Sequence, residues 1–354
     1  MAILTQLIEN IPSLDITKEQ KRLNRFVNIL NDPKPKVNHT PRNVVWKKNK
    51  ATLWHYPAVE KKHKTPIFIV YSLVNKPYIF DLAPGISAIE QFVNRGYDVY
   101  LLDWGVLGFE DKGITLADYI VDYIQKGVKR ALRHSNADEI TIWGACLGGV
   151  MASIYASFSE EPIKNLILST PPFDFRVITQ VLPDKLAEAI LNNEIGVDRF
   201  VDVNGLIPAR YMHYLGRFIS TPVHFSSYAV LLNHCHNDKF MDKWARMDMW
   251  TKDHVPLSGE VLRQICNELI IENKLIKGEL IVRGKRIDLS NIRANLLVMT
   301  AANDTVVPEA ASLPIMDLVS SKDKTLEKFV TGHIGMFLSA KCPDYMDKWL
   351  IERA

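Results

Sequence analysis

The chain has 354 residues, 47% of them hydrophobic, enough to bury the core of one large α/β domain or of two small ones. Its 43 basic and 40 acidic residues leave a formal charge of +3, too weak a field to argue for nucleic acid, and no long basic run occurs. Four cysteines, Cys146, Cys235, Cys266 and Cys342, stand far apart with no CxxC pair, which argues against a zinc framework or a disulfide scaffold and suits a reducing cytosol.

In chain order, MAILTQLIENIPSLDITKEQKR meets proline and acids before any long apolar core, a poor signal peptide, and no later run reaches transmembrane length. The chain therefore reads as soluble. Residues 1–40 are expected to form a helical arm, polar on one face in TKEQKRLNRFVNILND and broken by the prolines of DPKPKVNHTP. Beyond it, PIFIVYSLV (66–74) reads as strand, SAIEQFVNRG (87–96) as helix, YDVYLLDWG (97–105) as strand and LADYIVDYIQKGVKRALRHS (116–135) as helix. EITIWG (139–144), a helix from Leu147 to about Ser157 and IKNLILSTPPFDF (163–175) continue the alternation. Such runs imply an α/β fold with a mostly parallel, doubly wound sheet covered on both faces.

Residues 176–285 change character. Strand-like runs thin out and Met, Tyr, Trp, Phe and His accumulate through RYMHYLGRFIS, HFSSYAVLLNHCHNDKF and KWARMDMWTKDHVPLSGE, which predicts a mainly helical cap or lid insertion. The core is thus expected over 41–175 and 286–354. It resumes with NIRANLLVMTAANDTVVP (291–308) and LEKFVTGHIGMF (326–337), and PDYMDKWLIER closes the chain as a helix. No internal repeat or low-complexity segment stands out.

The chemistry gathers around Gly144-Ala-Cys146-Leu-Gly148, a G-x-nucleophile-x-G elbow with cysteine as the nucleophile, set between a predicted strand and a predicted helix. Small residues on either side permit a tight, strained turn that exposes the side chain, and the helix that follows offers its first N–H groups to negative charge. That setting favours thiolate, whereas a cysteine elsewhere is most often a small buried hydrophobe. Two partners follow in the order nucleophile, acid, histidine. Asp304 lies in ANDTVVP just beyond the apolar run NLLVMTA, and His333 lies in TGHIGMF after the next strand. Alone, Asp304 would be a turn-capping residue and His333 a surface histidine; the elbow and the order make them a triad with Cys146.

An oxyanion hole needs the backbone N–H of Leu147, next after the nucleophile, and a second N–H from the loop after an early strand. In YSLVNKPYIFDL (71–82) Val74 is the chosen donor and Asn75 the alternative. His234, Cys235, His236 and Asp238 do not converge as a metal site, because histidines two apart diverge on a strand and on a helix alike. Trp104 in LLDWG is expected to fill core rather than to line the site. No cofactor-binding or metal-binding residues are assigned.

With these residues in hand the chain resembles the polyhydroxyalkanoate synthases, specifically the short catalytic subunits of the two-component class III and class IV enzymes, and most closely the class IV Bacillus-type branch. The resemblance rests on VYSLVNKPYIFDL, GYDVYLLDWG, the box Gly144-Ala-Cys146-Leu-Gly148-Gly149, LILSTPPFDF, KGELIVRGKRIDL and GHIG, from about residue 40 to the C-terminus. It implies an α/β-hydrolase fold with a mobile cap, Cys146 as acylated nucleophile, His333 as its base and Asp304 as third member. It further implies a short-chain (R)-3-hydroxyacyl-CoA substrate such as 3-hydroxybutyryl-CoA and a growing polyester chain on a cytoplasmic granule surface. Coenzyme A arrives with the substrate and leaves, so no cofactor is retained. A second synthase subunit of the PhaR or PhaE type is the expected partner, and a homodimer is compatible with it. The chain departs from the family at Ala145, where larger residues are common, and between Arg263 and Asn273, which lack an Asp-Phe-Tyr run. Whether Asp304 acts on the 3-hydroxyl directly or through His333 is open at this level. Two rivals remain: a cysteine hydrolase of the same fold, of thioesterase or dienelactone-hydrolase type, and a non-catalytic granule scaffold.

Overall fold

The computed structural model describes residues 16–31, 35–219 and 221–353; residues 1–15 of the expected arm lie outside the described residues. The arm's described helix, α1 (Ile16–Asn31), is followed by two strands that the helix–strand alternation does not lead one to expect. β1 (Asn43–Lys48) and β2 (Ala51–Tyr56) form an antiparallel hairpin around Asn49-Lys50. Asn49 sits at φ 51°, the left-handed conformation that a two-residue hairpin turn needs and asparagine tolerates.

The remaining strands of the main sheet overlap the predicted runs, two of them passing the stated bounds by one or two residues: β3 (Ile67–Val70), β4 (Val99–Asp103), β5 (Ile140–Ala145), β6 (Ile163–Ser169), β7 (Asn295–Ala301) and β8 (Lys324–Phe329). They complete an eight-stranded sheet in the order β1-β2-β4-β3-β5-β6-β7-β8. β2 runs antiparallel to β4, and every pair from β4 to β8 is parallel. The expected mostly parallel sheet is present, with an antiparallel hairpin added at one edge. All residues of β3 and β5 are buried, as strands with both faces covered must be, whereas the edge strand β8 alternates exposed and half-buried positions.

Crossovers supply the covering layers. α2 (Ala88–Asn94) joins β3 to β4 and is capped by Ser87, whose hydroxyl accepts the Glu90 N–H. The long helix predicted over 116–135 begins as a π-helical stretch, Asp118–Gln125, and continues as α3 (Lys126–Ser135) to a left-handed Asn136. α4 (Leu147–Ala156) is buried from Leu147 to Tyr155, which explains a composition without a polar face. Phe68, Val70, Leu102, Ile142, Val150, Met151, Leu168 and Val298 belong to one apolar core between the sheet and these helices.

Between β6 and β7 the chain is mainly helical: Phe175–Thr179, Asp184–Leu191, Val197–Asn204, α5 (Ala209–Ile219), α6 (Thr221–His234), α7 (Asp238–Lys252), Gly259–Gln264 and a π-helical Ile265–Ile271. Two compact units divide it. One joins the N-terminal segment up to Lys36 with Thr221–Met249; the other, Val37–Ser220 and Trp250–Ala354, contains the sheet. Segments 176–219 and 250–285 share the sheet's unit because Ile207, Leu257, Val261, Leu269 and Leu275 enter its apolar core. In the first unit, Arg25 pairs with Asp238 at 2.7 Å, and the Trp244 indole N–H donates to the Ser227 carbonyl at 3.2 Å. A last helix, α8 (Lys341–Ile351), is tied to the sheet by the Trp349 indole N–H, which donates to the Thr325 hydroxyl at 2.9 Å.

Parallel strands end at a common edge, and a crevice opens where successive crossovers leave in opposite directions. The chain steps from β3 to β4 on one side and from β4 to β5 on the other, so that crevice lies between β3 and β5. Val70 is in register with Gly144, which sets the loop from residue 71 directly beside the elbow at Cys146.

Candidate active site

Cys146 occupies the turn between β5 and α4 with φ 52° and ψ −129°, a conformation costing on the order of 1–3 kcal/mol for a residue with a side chain. Its surroundings hold it there. The Cys146 N–H donates to the Ser169 carbonyl at 2.9 Å, and its carbonyl accepts the Gly149 N–H at 2.8 Å. Two glycines make the turn possible. A Cβ at Gly144 would lie 2.5 Å from the Gly149 Cα, and one at Gly148 would lie 2.3 Å from the Val70 carbonyl oxygen, both backbone atoms with nowhere to move. Ala145 is fully buried in β5.

Asp304 and His333 come from the loops after β7 and β8. These loops are zipped together: the Ala302 N–H donates to the Phe329 carbonyl at 2.8 Å and the Asn303 N–H to the Thr331 carbonyl at 3.0 Å. The Asp304 side chain is 1% exposed and fully engaged. Its Oδ1 accepts the N–H groups of Val306 and Val307, each at 2.8 Å, and its Oδ2 accepts from His333 Nδ1 at 2.7 Å. With Nδ1 committed to Asp304, Nε2 is the nitrogen left for Cys146, which is close enough to the His333 ring to act on it electrostatically. The structure thus brings the three sequence-predicted residues together.

Burial opposes charge on His333, but the electrostatic influence of Cys146, the hydrogen bond that the ring donates to Asp304 and the charge of Asp304 together outweigh it. The result is a pKa raised to about 10. Cys146→Ala removes the largest of the influences that raise it, so the His333 midpoint is expected to fall. A pH titration of the ring signals by NMR reads this directly, and a midpoint unchanged by the substitution would show that Cys146 and His333 are not electrostatically coupled. Burial pushes the Cys266 thiol up to about 11 and the Cys342 thiol up to about 12, leaving both protonated and unreactive near neutrality.

Leu147 opens α4, and its N–H belongs to the first turn, where helix donors have no intrahelical partner. Val74 and Asn75 lie in the loop after β3, alongside the end of β5. Two further residues bear on the site. Trp104, expected to fill core, is buried and also donates its indole N–H to the Tyr71 carbonyl at 3.1 Å, pinning the start of that loop. The Tyr71 phenol is fully buried; burial above all, with the charge of Cys146 adding, holds it well above the ordinary tyrosine pKa. Its position directly after an apolar strand was the only available signal. Among the described residues no three His, Cys, Asp or Glu side chains are grouped to hold a metal ion, and no helix is long and apolar enough to cross a membrane.

Residues 75–340 match the family model described as alpha/beta hydrolase fold, and residues 34–92 match that of the poly-beta-hydroxybutyrate polymerase (PhaC) N-terminus. The chain is 33% identical over 367 residues to the poly(3-hydroxyalkanoate) polymerase subunit PhaC of Synechocystis, covering 98% of this chain and 94% of that one. To the protein of the same description from Allochromatium vinosum it is 31% identical over 337 residues, 92% of either chain. The Haloferax mediterranei counterpart is longer: the 34% identity spans 88% of this chain but 63% of that relative. Among solved structures the chain is similar to a monoacylglycerol lipase from Paleococcus ferrophilus, at 15% identity and a TM-score of 0.54, over 85% of this chain and 99% of the other. DcsB gives a TM-score of 0.55 at 14% identity, over 88% and 99%. At such identities these likenesses speak for the fold alone.

Proposed function

The chain belongs to the poly(3-hydroxyalkanoate) polymerase (PhaC) family of the α/β-hydrolase fold, an acyltransferase family, and on that footing we propose that it polymerises short-chain (R)-3-hydroxyacyl-CoA through a covalent thioester on Cys146. The observation that carries the proposal is the His333–Asp304 hydrogen bond beside a Cys146 held in a strained elbow. His333 takes the thiol proton, and the thiolate attacks the thioester carbonyl. A new carbon–sulfur bond forms, the N–H groups of Leu147 and Val74 hold the oxyanion, and collapse breaks the bond to coenzyme A. Coenzyme A leaves as a thiol carrying the proton from His333. A 3-hydroxyl then attacks a thioester carbonyl and gives its proton to His333, an oxyester forms, and the departing thiolate is reprotonated. Both Asp304 oxygens are already taken by protein donors, which favours its acting through His333 rather than on the hydroxyl.

Sulfur suits this sequence of transfers. Thioester to thioester is nearly isoenergetic, so the acyl group stays activated, and only ester formation runs downhill. A serine would dissipate that drive one step early. No cofactor is needed, because coenzyme A enters on the substrate. The helical segments 176–219 and 250–285, which share the sheet's unit, act as the cap that keeps water from the acyl-enzyme. A second subunit of the PhaR or PhaE type and a polyester granule surface in the cytoplasm complete the proposed setting, with 3-hydroxybutyryl-CoA as the preferred substrate.

The test is turnover of 3-hydroxybutyryl-CoA by the purified chain with and without the second subunit, scoring released coenzyme A and product together. Insoluble polyester formed in step with coenzyme A is the expected result. Stoichiometric soluble 3-hydroxybutyrate in both arms would make the chain a thioesterase, and no coenzyme A in either arm would leave a scaffold.

A further inference from the structure

The loop after β3, on which the second oxyanion donor is proposed, has three of its carbonyls occupied from outside. Trp104 holds that of Tyr71. The other two are held by a single strap, residues 250–255, which begins at the last turn of α7. The Trp250 indole N–H donates to the Lys76 carbonyl at 2.8 Å, and the Val255 N–H donates to the Val74 carbonyl at 3.1 Å. Between them Asn75 and His254 pair as an isolated antiparallel bridge. Side chains repeat the connection: Asp253 accepts from the Tyr78 hydroxyl at 3.1 Å and pairs with Lys76 Nζ at 3.0 Å. Trp250, Val255, Asn75 and Tyr78 are all buried, so these bonds are shielded from competing water.

A peptide N–H aims where its flanking peptide planes are fixed. The plane after Val74 is fixed by the strap through the Val74 carbonyl, and Trp104 fixes the plane after Tyr71, so the short stretch that carries the Val74 N–H is anchored at both ends from outside the loop. We propose that Trp250 and Asp253 are positioning residues that hold the main chain of Val74–Lys76 so that its N–H points at the thioester oxygen bound at Cys146. This rests on the reading of Cys146 as the acylated nucleophile. It gives the strap a role that apolar packing alone would not require, because a donor displaced by about 1 Å forfeits much of its worth to the transition state. Trp250 is also the residue at which the chain enters the sheet's unit after Thr221–Met249, so this anchor lies at a unit boundary.

The test compares two reactions of the same sulfur. Acylation of Cys146 by 3-hydroxybutyryl-CoA passes through an oxyanion, whereas its alkylation by iodoacetamide does not. Trp250→Phe keeps the ring and removes the N–H, and Asp253→Asn keeps an acceptor for Tyr78 and removes the charge. Acylation is expected to slow about 10- to 100-fold in kcat for Trp250→Phe, with KM and the alkylation rate close to wild type. Asp253→Asn is expected to show a smaller loss of the same kind, and it decides the matter when Trp250→Phe does not fold. Unchanged acylation, or acylation and alkylation falling by the same factor, overturns the proposal. A wild-type chain that alkylates but never acylates would instead overturn the reading of Cys146 on which the proposal stands.

Discussion

Replacing Cys146 by alanine is expected to abolish polymer formation and coenzyme A release, with turnover at least about 10,000-fold below wild type, as loss of a nucleophile costs where the partners act as a unit. No other sulfur can take its place. Cys235 and Cys342 are buried, and Cys266 and Cys342 are held as thiols by burial. Serine at the same position separates nucleophile from shape. It fits the elbow, since Gly144 and Gly148 rather than the side chain make the turn possible. It nevertheless presents a poorer nucleophile and would hold the acyl group as an oxyester. Cys146→Ser is therefore expected to fold with wild-type stability and to elongate no polymer. Coenzyme A release at the wild-type rate by Cys146→Ala, followed with a thiol reagent, would remove Cys146 from the chemistry.

Asp304→Asn is expected to lower kcat by about 10,000-fold with little change in folding, the size of effect seen when a triad carboxylate becomes an amide. The local hydrogen bonds explain why. Oδ1 already accepts the Val306 and Val307 N–H groups, so an asparagine keeps its carbonyl there and turns its NH2 toward His333. Nδ1 must then accept rather than donate, the ring proton moves to Nε2, and the nitrogen facing Cys146 loses the lone pair that takes the thiol proton. The carboxylate's charge is lost as well, which lowers the His333 pKa. Single-turnover acylation measured against pH checks this. Wild-type turnover by Asp304→Asn at neutral pH would show that the ring's orientation and tautomer are set by something other than Asp304.

The inner parallel strands were legible in the sequence because each is a short, mainly apolar run bounded by turn residues, the pattern left by burial on both faces, whereas the edge strand β8 alternates exposed and half-buried positions. β1 and β2 were not, although Asn49-Lys50 between two β-branched and aromatic runs is a hairpin signal; a half-exposed edge hairpin leaves a weaker imprint than a buried strand. The division of the helical insertion between two compact units was not legible either. Segments 176–219 and 250–285 read as continuous with 221–249, and only the destination of Leu257, Val261 and Leu269 in the sheet's core separates them.

At the site the division follows chain distance. Elbow spacing, strand-to-turn context and the order Cys146, Asp304, His333 are local or sequential properties, and the sequence by itself determined them. That Asp304 Oδ2 meets His333 Nδ1, that both of its oxygens are occupied, that Tyr71 is buried beside Cys146 and that Trp104 and Trp250 pin the loop after β3 were decided only by the tertiary structure. Those contacts join residues 29 to 174 positions apart, and their geometry depends on strand order and register, quantities set by packing the whole sheet rather than by any one segment.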